Sequence, residues 1–194
     1  IINNFSPDLI IAIGGGGVID YSKIANASIH IKNLNSILKK KVKFRKFRKL
    51  LIIPTTTGSG AEVTPGAVLY KKKIKYNLRD KSLIPDRYSY QPQLISRSSK
   101  KLKISSTFDS LSQSIESLIS FKSNKKSQKY SQLSISLILK NYKKFFSTND
   151  YQTIKNMQIA GNFSGKAITI TSTGAPHALS YYISSTFKLY HGIS

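Results

Sequence analysis

Four consecutive glycines, Gly14 to Gly17, follow the unbroken apolar run Leu9-Ile10-Ile11-Ala12-Ile13 and precede a helix-like stretch beginning at Val18. A short, fully apolar run ended by glycine reads as a buried strand of an α/β protein. Glycine lets the backbone approach a ligand with no Cβ in the way. The helix start behind it offers unpaired N–H groups and the positive end of its dipole. Strand, glycine turn and helix in that order suit a bound phosphate. The run is not the spaced G-x-G-x-x-G pattern, so a purely structural turn stays open on this segment alone.

The 194 residues can form one large domain or parts of two, and the 40% apolar content supports a core. No apolar stretch approaches the roughly 18–20 residues that span a bilayer. The opening Ile1-Ile2-Asn3-Asn4-Phe5 has neither the basic nor the apolar part of a secretory signal. The absence of cysteine excludes disulfides and thiolate metal sites and fits a cytoplasmic protein. The chain starts without Met and enters a strand by residue 9, so it is expected to be an internal fragment.

Thirty-one basic residues face 8 acidic ones, a net charge of +23. Such an excess suits a nucleic-acid or anionic-surface binder, above all between Lys39 and Lys49, where cations crowd around Phe44 and Phe47. The cations also recur along the whole chain, at Lys71-Lys72-Lys73, Lys100-Lys101, Lys125-Lys126 and Lys143-Lys144, with no zinc-finger or helix-turn-helix pattern beside them. Specific nucleic-acid binding is therefore not expected.

The first third alternates strand, glycine turn, helix (Val18 to His30), basic loop and strand (Leu50 to Ile53), which predicts a parallel α/β sheet. Short strands are predicted at Ala67 to Tyr70 and Lys73 to Leu78, with loops at Pro85 and Pro92. From Thr107 the pattern becomes helical, with apolar stripes Leu111, Ile115, Leu118 and Tyr130, Leu133, Leu137, Tyr142. Thr153 to Ile170 and Pro176 to Ser185 are further predicted helices. Residues 1–100 thus form an α/β part and residues 101–194 a helical part.

A second glycine turn, Pro54-Thr55-Thr56-Thr57-Gly58-Ser59-Gly60-Ala61-Glu62, follows the second apolar strand and adds hydroxyl donors. Two such units suit a ligand with two phosphates or a phosphate-linked sugar, and an ordinary Thr-rich loop is the alternative. In the helical part Asp109 and Gln113 share a helix face, with Glu116 one turn on. Of the three histidines, His30 reads as a plain surface or core residue, His177 opens a helix-like run and His191 precedes Gly192. A carboxylate, an amide oxygen and two imidazoles form a mixed O/N set suited to Fe(II), Zn(II) or Mn(II), although two distant histidines are more often unrelated.

The joint order of these elements resembles the iron-containing (group III) alcohol dehydrogenases, relatives of glycerol dehydrogenase and dehydroquinate synthase. Pro7 to Asp20 matches the family's PD-x-IIAIGGGS-x-xD, with Lys23 at its helix lysine, and Pro54 to Thr64 matches PTTxGTGSEVT. Asp109 to Glu116 matches D-x-L-x-H-x-x-E, and His177 and His191 match the two later metal ligands. Six of the eight acids, Asp8, Asp20, Glu62, Asp86, Asp109 and Glu116, fall inside these motifs. Val63 to Tyr70, Lys75 to Leu78, Gln113 and Ala175 to Tyr181 are similar to the phosphonoacetaldehyde reductase-like members. The departures are Gly17 for Ser, Ser59 and Ala61 for Thr and Ser, Gln91 for Asp, and Gln113 for a histidine ligand.

The resemblance implies an incomplete Rossmann-like α/β part followed by an incomplete all-α metal-binding domain, in a dehydroquinate synthase-like architecture. It implies an oxidoreductase interconverting an aldehyde and a primary alcohol, with phosphonoacetaldehyde and 2-hydroxyethylphosphonate as the subgroup's pair. NAD or NADP would bind at Gly14, Gly15, Gly16, Gly17 and Asp20 and at Thr55, Thr56 and Ser59. A divalent metal, Fe2+ first and Zn2+ or Mn2+ next, would bind at Asp109, Gln113, His177 and His191. The residues that read the adenosine ribose fall outside the chain, leaving NADH against NADPH open. The implied partners are a small-molecule substrate and a second copy of the full-length chain, with no membrane. Against this stand a basic nucleic-acid-associated protein on the same fold and a catalytically inactive or unfolded remnant; the fragment alone is expected to be inactive.

Overall fold

The computed structural model describes residues 2–31, 33–38, 42–72, 74–187 and 191–193. Lys39, Lys40 and Lys41 of the basic cluster and Lys73 of the predicted second short strand lie outside the described residues. The chain divides into two compact units, Ile1–Pro54 with Ala61–Ser89, and Thr55–Gly60 with Tyr90–Ser194. The division falls between Ser89 and Tyr90, eleven residues before the expected one, and the Thr/Gly loop goes with the helical unit.

In the first unit, helical turns α1 (Ile2–Phe5) and α3 (Leu34–Leu38) accompany a parallel sheet. Strand β1 (Leu9–Gly14) pairs with β2 (Lys49–Pro54), Ile11 opposite Leu51 and Gly14 opposite Pro54. Parallel neighbours need a crossover, here containing α2 (Gly16–Ala27), which lays Ile19 against Ala12, Leu50, Ile52 and Ala61. Hairpin β3 (Gly66–Lys71) and β4 (Ile74–Arg79) is antiparallel, Ala67 opposite Leu78. Its inner face joins Ile24, Ala27, Phe44 and Leu83 in a second core. The edge strand β5 (Arg87–Tyr88) pairs parallel with β2. On β1, alternate residues Leu9, Ile11 and Ile13 are 45%, 52% and 54% exposed. This parallel sheet is therefore not closed on both faces as such sheets usually are.

Lys23 is the internal strut of this unit. Its ammonium donates to the Ala61 and Gly66 carbonyls, each at 2.7 Å, and to Thr64 Oγ1 at 3.3 Å. Asp20, one turn earlier, accepts the Val68 N–H at 3.0 Å and lies 3.8 Å from the ammonium. The pair thus ties α2 to the 61–68 segment.

The second unit is helical: α4 (Gln93–Ser96), α5 (Lys100–Ile119), α6 (Lys125–Ser147), α7 (Tyr151–Thr171) and α8 (Ala175–Phe187), then a 3₁₀ turn at His191–Ile193. Side-chain caps set the long starts. Ser99 accepts from Leu102 N, Asn124 forms a capping box with Ser127, and Asp150 accepts from Thr153 N. The Ser99 cap explains why α5 begins seven residues before the predicted Thr107.

Of the predicted stripes, Leu111, Leu137 and Tyr142 pack against the apolar core. Ile115 and Leu133 are partly exposed at 45% and 38%, whereas Ser110, Ser114, Ser117, Ser127, Ser131 and Ser134 are fully buried. The small serine side chain allows close helix contact, and several of these hydroxyls donate to backbone carbonyls. Ser114 donates to the Ser110 carbonyl at 2.8 Å and Ser134 to the Ala160 carbonyl at 2.9 Å. The apolar core lies beside this seam, around Ile95, Ile138, Phe145, Ile154 and Met157. No helix of the described residues is long and apolar enough to cross a membrane.

Candidate metal centre and nucleotide loops

In the first unit β1 ends at Gly14, Gly15 caps α2 with extended backbone, and Ile19 N–H donates to Gly15 O at 3.1 Å. The N–H groups of Gly16, Gly17 and Val18 precede any intrahelical acceptor and remain for an anion. A Cβ at Gly14 would lie 2.5 Å from Val18 Cβ, while one at Gly17 would meet nothing within 4 Å. Gly14 is thus required by packing, and Gly17 leaves open space beside the helix start. The Asp20 carboxylate is directed at Val68 N–H and Lys23, a structural engagement. Burial pushes Asp20 up to about 6, against the opposing pull of Lys23, and pushes Lys23 down to about 8.

In the second unit the loop of Thr55, Thr56 and Ser59, all half-buried, is seated by glycines. A Cβ at Gly58 would lie 2.7 Å from the Ser106 carbonyl and 3.0 Å from Asp109 Oδ2. Gly60 takes φ +56 against Gly165, and a Cβ at Gly161 would overlap the Thr57 carbonyl. Thr57 Oγ1 and Ser106 Oγ are 2.9 Å apart. The loop therefore rests on α5 and α7 beside Asp109.

Asp109 projects from α5, His177 from the first turn of α8 and His191 from the 3₁₀ turn. One ligand atom of each lies within 4.8 Å of the others. His177 Nε2 and His191 Nε2 are 3.0 Å apart, and His191 Nε2 is 3.8 Å from Asp109 Oδ1. Donors bound about 2.0–2.2 Å from one cation stand about 3–3.5 Å from each other, so the set fits a divalent metal. His191 is carried to α5 by Gly192, whose N–H donates to Ser105 Oγ at 3.2 Å and whose missing Cβ avoids the Ser105 carbonyl.

Gln113 sits one turn after Asp109. Its Nε2 donates to Asp109 Oδ1 at 2.9 Å, and its Oε1 accepts from Ser164 Oγ at 2.7 Å. In this arrangement the amide orients the carboxylate, and its oxygen is turned to α7. His30 lies in the first unit, stacked on Phe47 with centroids 5.3 Å apart. Sequence reasoning missed Ser180, Gly58 and Gly192 and gave Glu116 no contact. Glu116 accepts the Gly174 N–H at 2.5 Å and lies 3.7 Å from His177 Nδ1. The adjacency of Gly192 to His191 was the one visible signal among these. Glu116, Phe121, Lys122, Thr171, Gly174 and Pro176 border a cavity of about 310 Å³.

The family described as iron-containing alcohol dehydrogenase matches residues 1–92, and the C-terminal part of the Fe-containing alcohol dehydrogenase family matches residues 103–194. The chain is 32% identical to a 4-hydroxybutyrate dehydrogenase of Clostridium kluyveri, over 98% of this chain and 54% of that protein. It is 30% identical to an alcohol dehydrogenase of Thermococcus barophilus, over 93% of this chain and 50% of that one. A crystal structure of an iron-containing alcohol dehydrogenase superposes with TM-score 0.87 at 28% identity, covering 97% of this chain and 52% of the other. A sulfoacetaldehyde reductase from Bifidobacterium kashiwanohense, solved with NAD+, shares the fold with TM-score 0.92 at 24% identity, over 98% and 52%. The chain thus spans about half the length of the relatives it matches. With two family matches that together leave few residues uncovered, the chain belongs to the iron-containing alcohol dehydrogenases.

Proposed function

We propose that the chain is part of an NAD(P)-dependent, metal-dependent dehydrogenase that interconverts an aldehyde and a primary alcohol. The observation that carries this reading is the convergence of Asp109, His177 and His191 within 4.8 Å. Asp109 and the two imidazoles would hold the cation, Fe2+ first and Zn2+ or Mn2+ next, with Gln113 orienting Asp109. A bound divalent cation supplies Lewis-acid polarisation of the substrate oxygen, worth several kcal/mol. The N–H groups at Gly16 to Val18 bind a pyrophosphate oxygen, and the bare glycines give it room. Thr55, Thr56 and Ser59 offer hydroxyls to the nicotinamide half, next to Asp109. Asp20 supports this loop from behind by holding α2 to Val68.

Phosphonoacetaldehyde is the substrate we favour, on the similarity at Val63 to Tyr70 and Ala175 to Tyr181 and on the +23 charge, which favours an anionic substrate. The full-length protein, active in the cytoplasm as a homodimer, should oxidise NADH or NADPH with this aldehyde only when metal is present. Asp109→Ala and His177→Ala should abolish that turnover, and full activity in both variants would refute the metal assignment. Residues 1–194 alone should show little or no turnover.

A further inference from the structure

The geometry points to Ser180 and Glu116 as positioning residues that set the tautomers of the two histidines, so that both Nε2 lone pairs face the metal position. This rests on the metal reading above and concerns what makes the site selective for a cation. Ser180 Oγ donates its single hydroxyl proton to the His177 carbonyl at 2.9 Å. With its proton on that carbonyl, the hydroxyl accepts from His191 Nδ1, 3.3 Å away. His191 must then carry its proton on Nδ1 and leave Nε2 bare. On the other side, Nδ1 of His177 faces a Glu116 carboxylate oxygen at 3.7 Å, a group that in its ionised form can only accept. It favours the Nδ1–H form there too. The second Glu116 oxygen accepts the Gly174 N–H at 2.5 Å, which fixes the carboxylate relative to the first turn of α8.

The two bare Nε2 atoms then meet at 3.0 Å, where lone pairs repel unless a cation lies against both. Outer groups that hold a ligating imidazole in one tautomer typically change metal affinity about 10–100-fold. The structure shows one such group for each histidine, on α5 and on α8 itself.

The test uses residues 1–194 with Zn2+ and Co2+. Long-range 1H–15N spectra of the Zn2+-loaded chain should show both imidazoles protonated at Nδ1 and metal-bound through Nε2. Ser180→Ala should weaken Co2+ binding about 10–100-fold, and Ser180→Thr, which keeps the hydroxyl, should restore it to within a few-fold. Glu116→Ala should weaken binding similarly, and Glu116→Gln less, since one amide oxygen can still accept. Because Glu116→Ala also uncaps Gly174, the Ser180 pair decides the matter should that variant unfold. Ligation through Nδ1, or equal affinity in Ser180→Ala and the parent chain, overturns the tautomer assignment and leaves the metal centre standing. Equal affinity in Asp109→Ala overturns the metal reading itself.

Discussion

Ser131 is fully buried on α6, and its Oγ finds no hydrogen-bond partner among the described residues. An unpaired buried hydroxyl costs about 1–3 kcal/mol, so Ser131→Ala should raise stability by about 1 kcal/mol; a lower melting temperature would contradict this. The Asp20–Lys23 pair makes a second prediction with a defined pH window. Asp20 is raised from 3.8 to about 6, so between those values the folded state holds the extra proton and its stabilisation fades as pH rises through 6. Lys23 is lowered from 10.5 to about 8, so the unfolded chain holds the extra proton there and stability is lost as pH falls through 8. The pair thus contributes least between pH 6 and 8. The difference in melting temperature between the parent chain and an Asp20→Asn/Lys23→Met variant should dip in that window, and a flat difference would rule the linkage out. At this scale residue types were readable, but partners were not. Lys23 showed as the family's helix lysine, yet its carbonyl acceptors come from 38 and 43 residues away.

Elements were legible where their signals are local. Apolar runs followed by glycine turns located β1 and β2. Apolar periodicity located Leu111, Leu137 and Tyr142 at the core but not the serine seam of α5 and α6, because it marks only the greasy part of a buried face. In this chain serine occupies the tight crossings and leaves Ile115 and Leu133 partly exposed. Helix α7 works the same way with glycine. Gly161 passes so close to the Thr57 carbonyl that a methyl group cannot fit. Gly161→Ala should therefore cost about 1–3 kcal/mol by overpacking and loosen the Thr55–Gly60 loop. Chemical denaturation measures the first and limited proteolysis at the loop the second; an unchanged midpoint would refute the close contact.

At the scale of the molecule the +23 charge sets a self-repulsion that salt should relieve. Screening shortens from about 30 Å at 0.01 M to about 8 Å at 0.15 M. The melting temperature should rise across that range, and a fall would show that attractive pairs outweigh repulsion. Exposed lysines are spread along α6, at Lys125, Lys126, Lys129, Lys140, Lys143 and Lys144, and this spread reads as a solvated surface. Leu9, Ile11 and Ile13 form an open face on β1, and the chain spans about half the length of the relatives it matches.

By itself the sequence determined the family, the two phosphate-suited turns and the residues Asp109, His177 and His191, since these depend on residue types in a linear order. Only the tertiary structure decided that the Thr55–Gly60 loop travels with the helices, that Gln113 turns its oxygen to Ser164, and that Glu116 and Ser180 stand behind the two histidines. Those outcomes follow from glycine-to-backbone contacts and hydrogen bonds between residues far apart in sequence. Linear spacing carries no record of which atoms such distant residues turn toward each other.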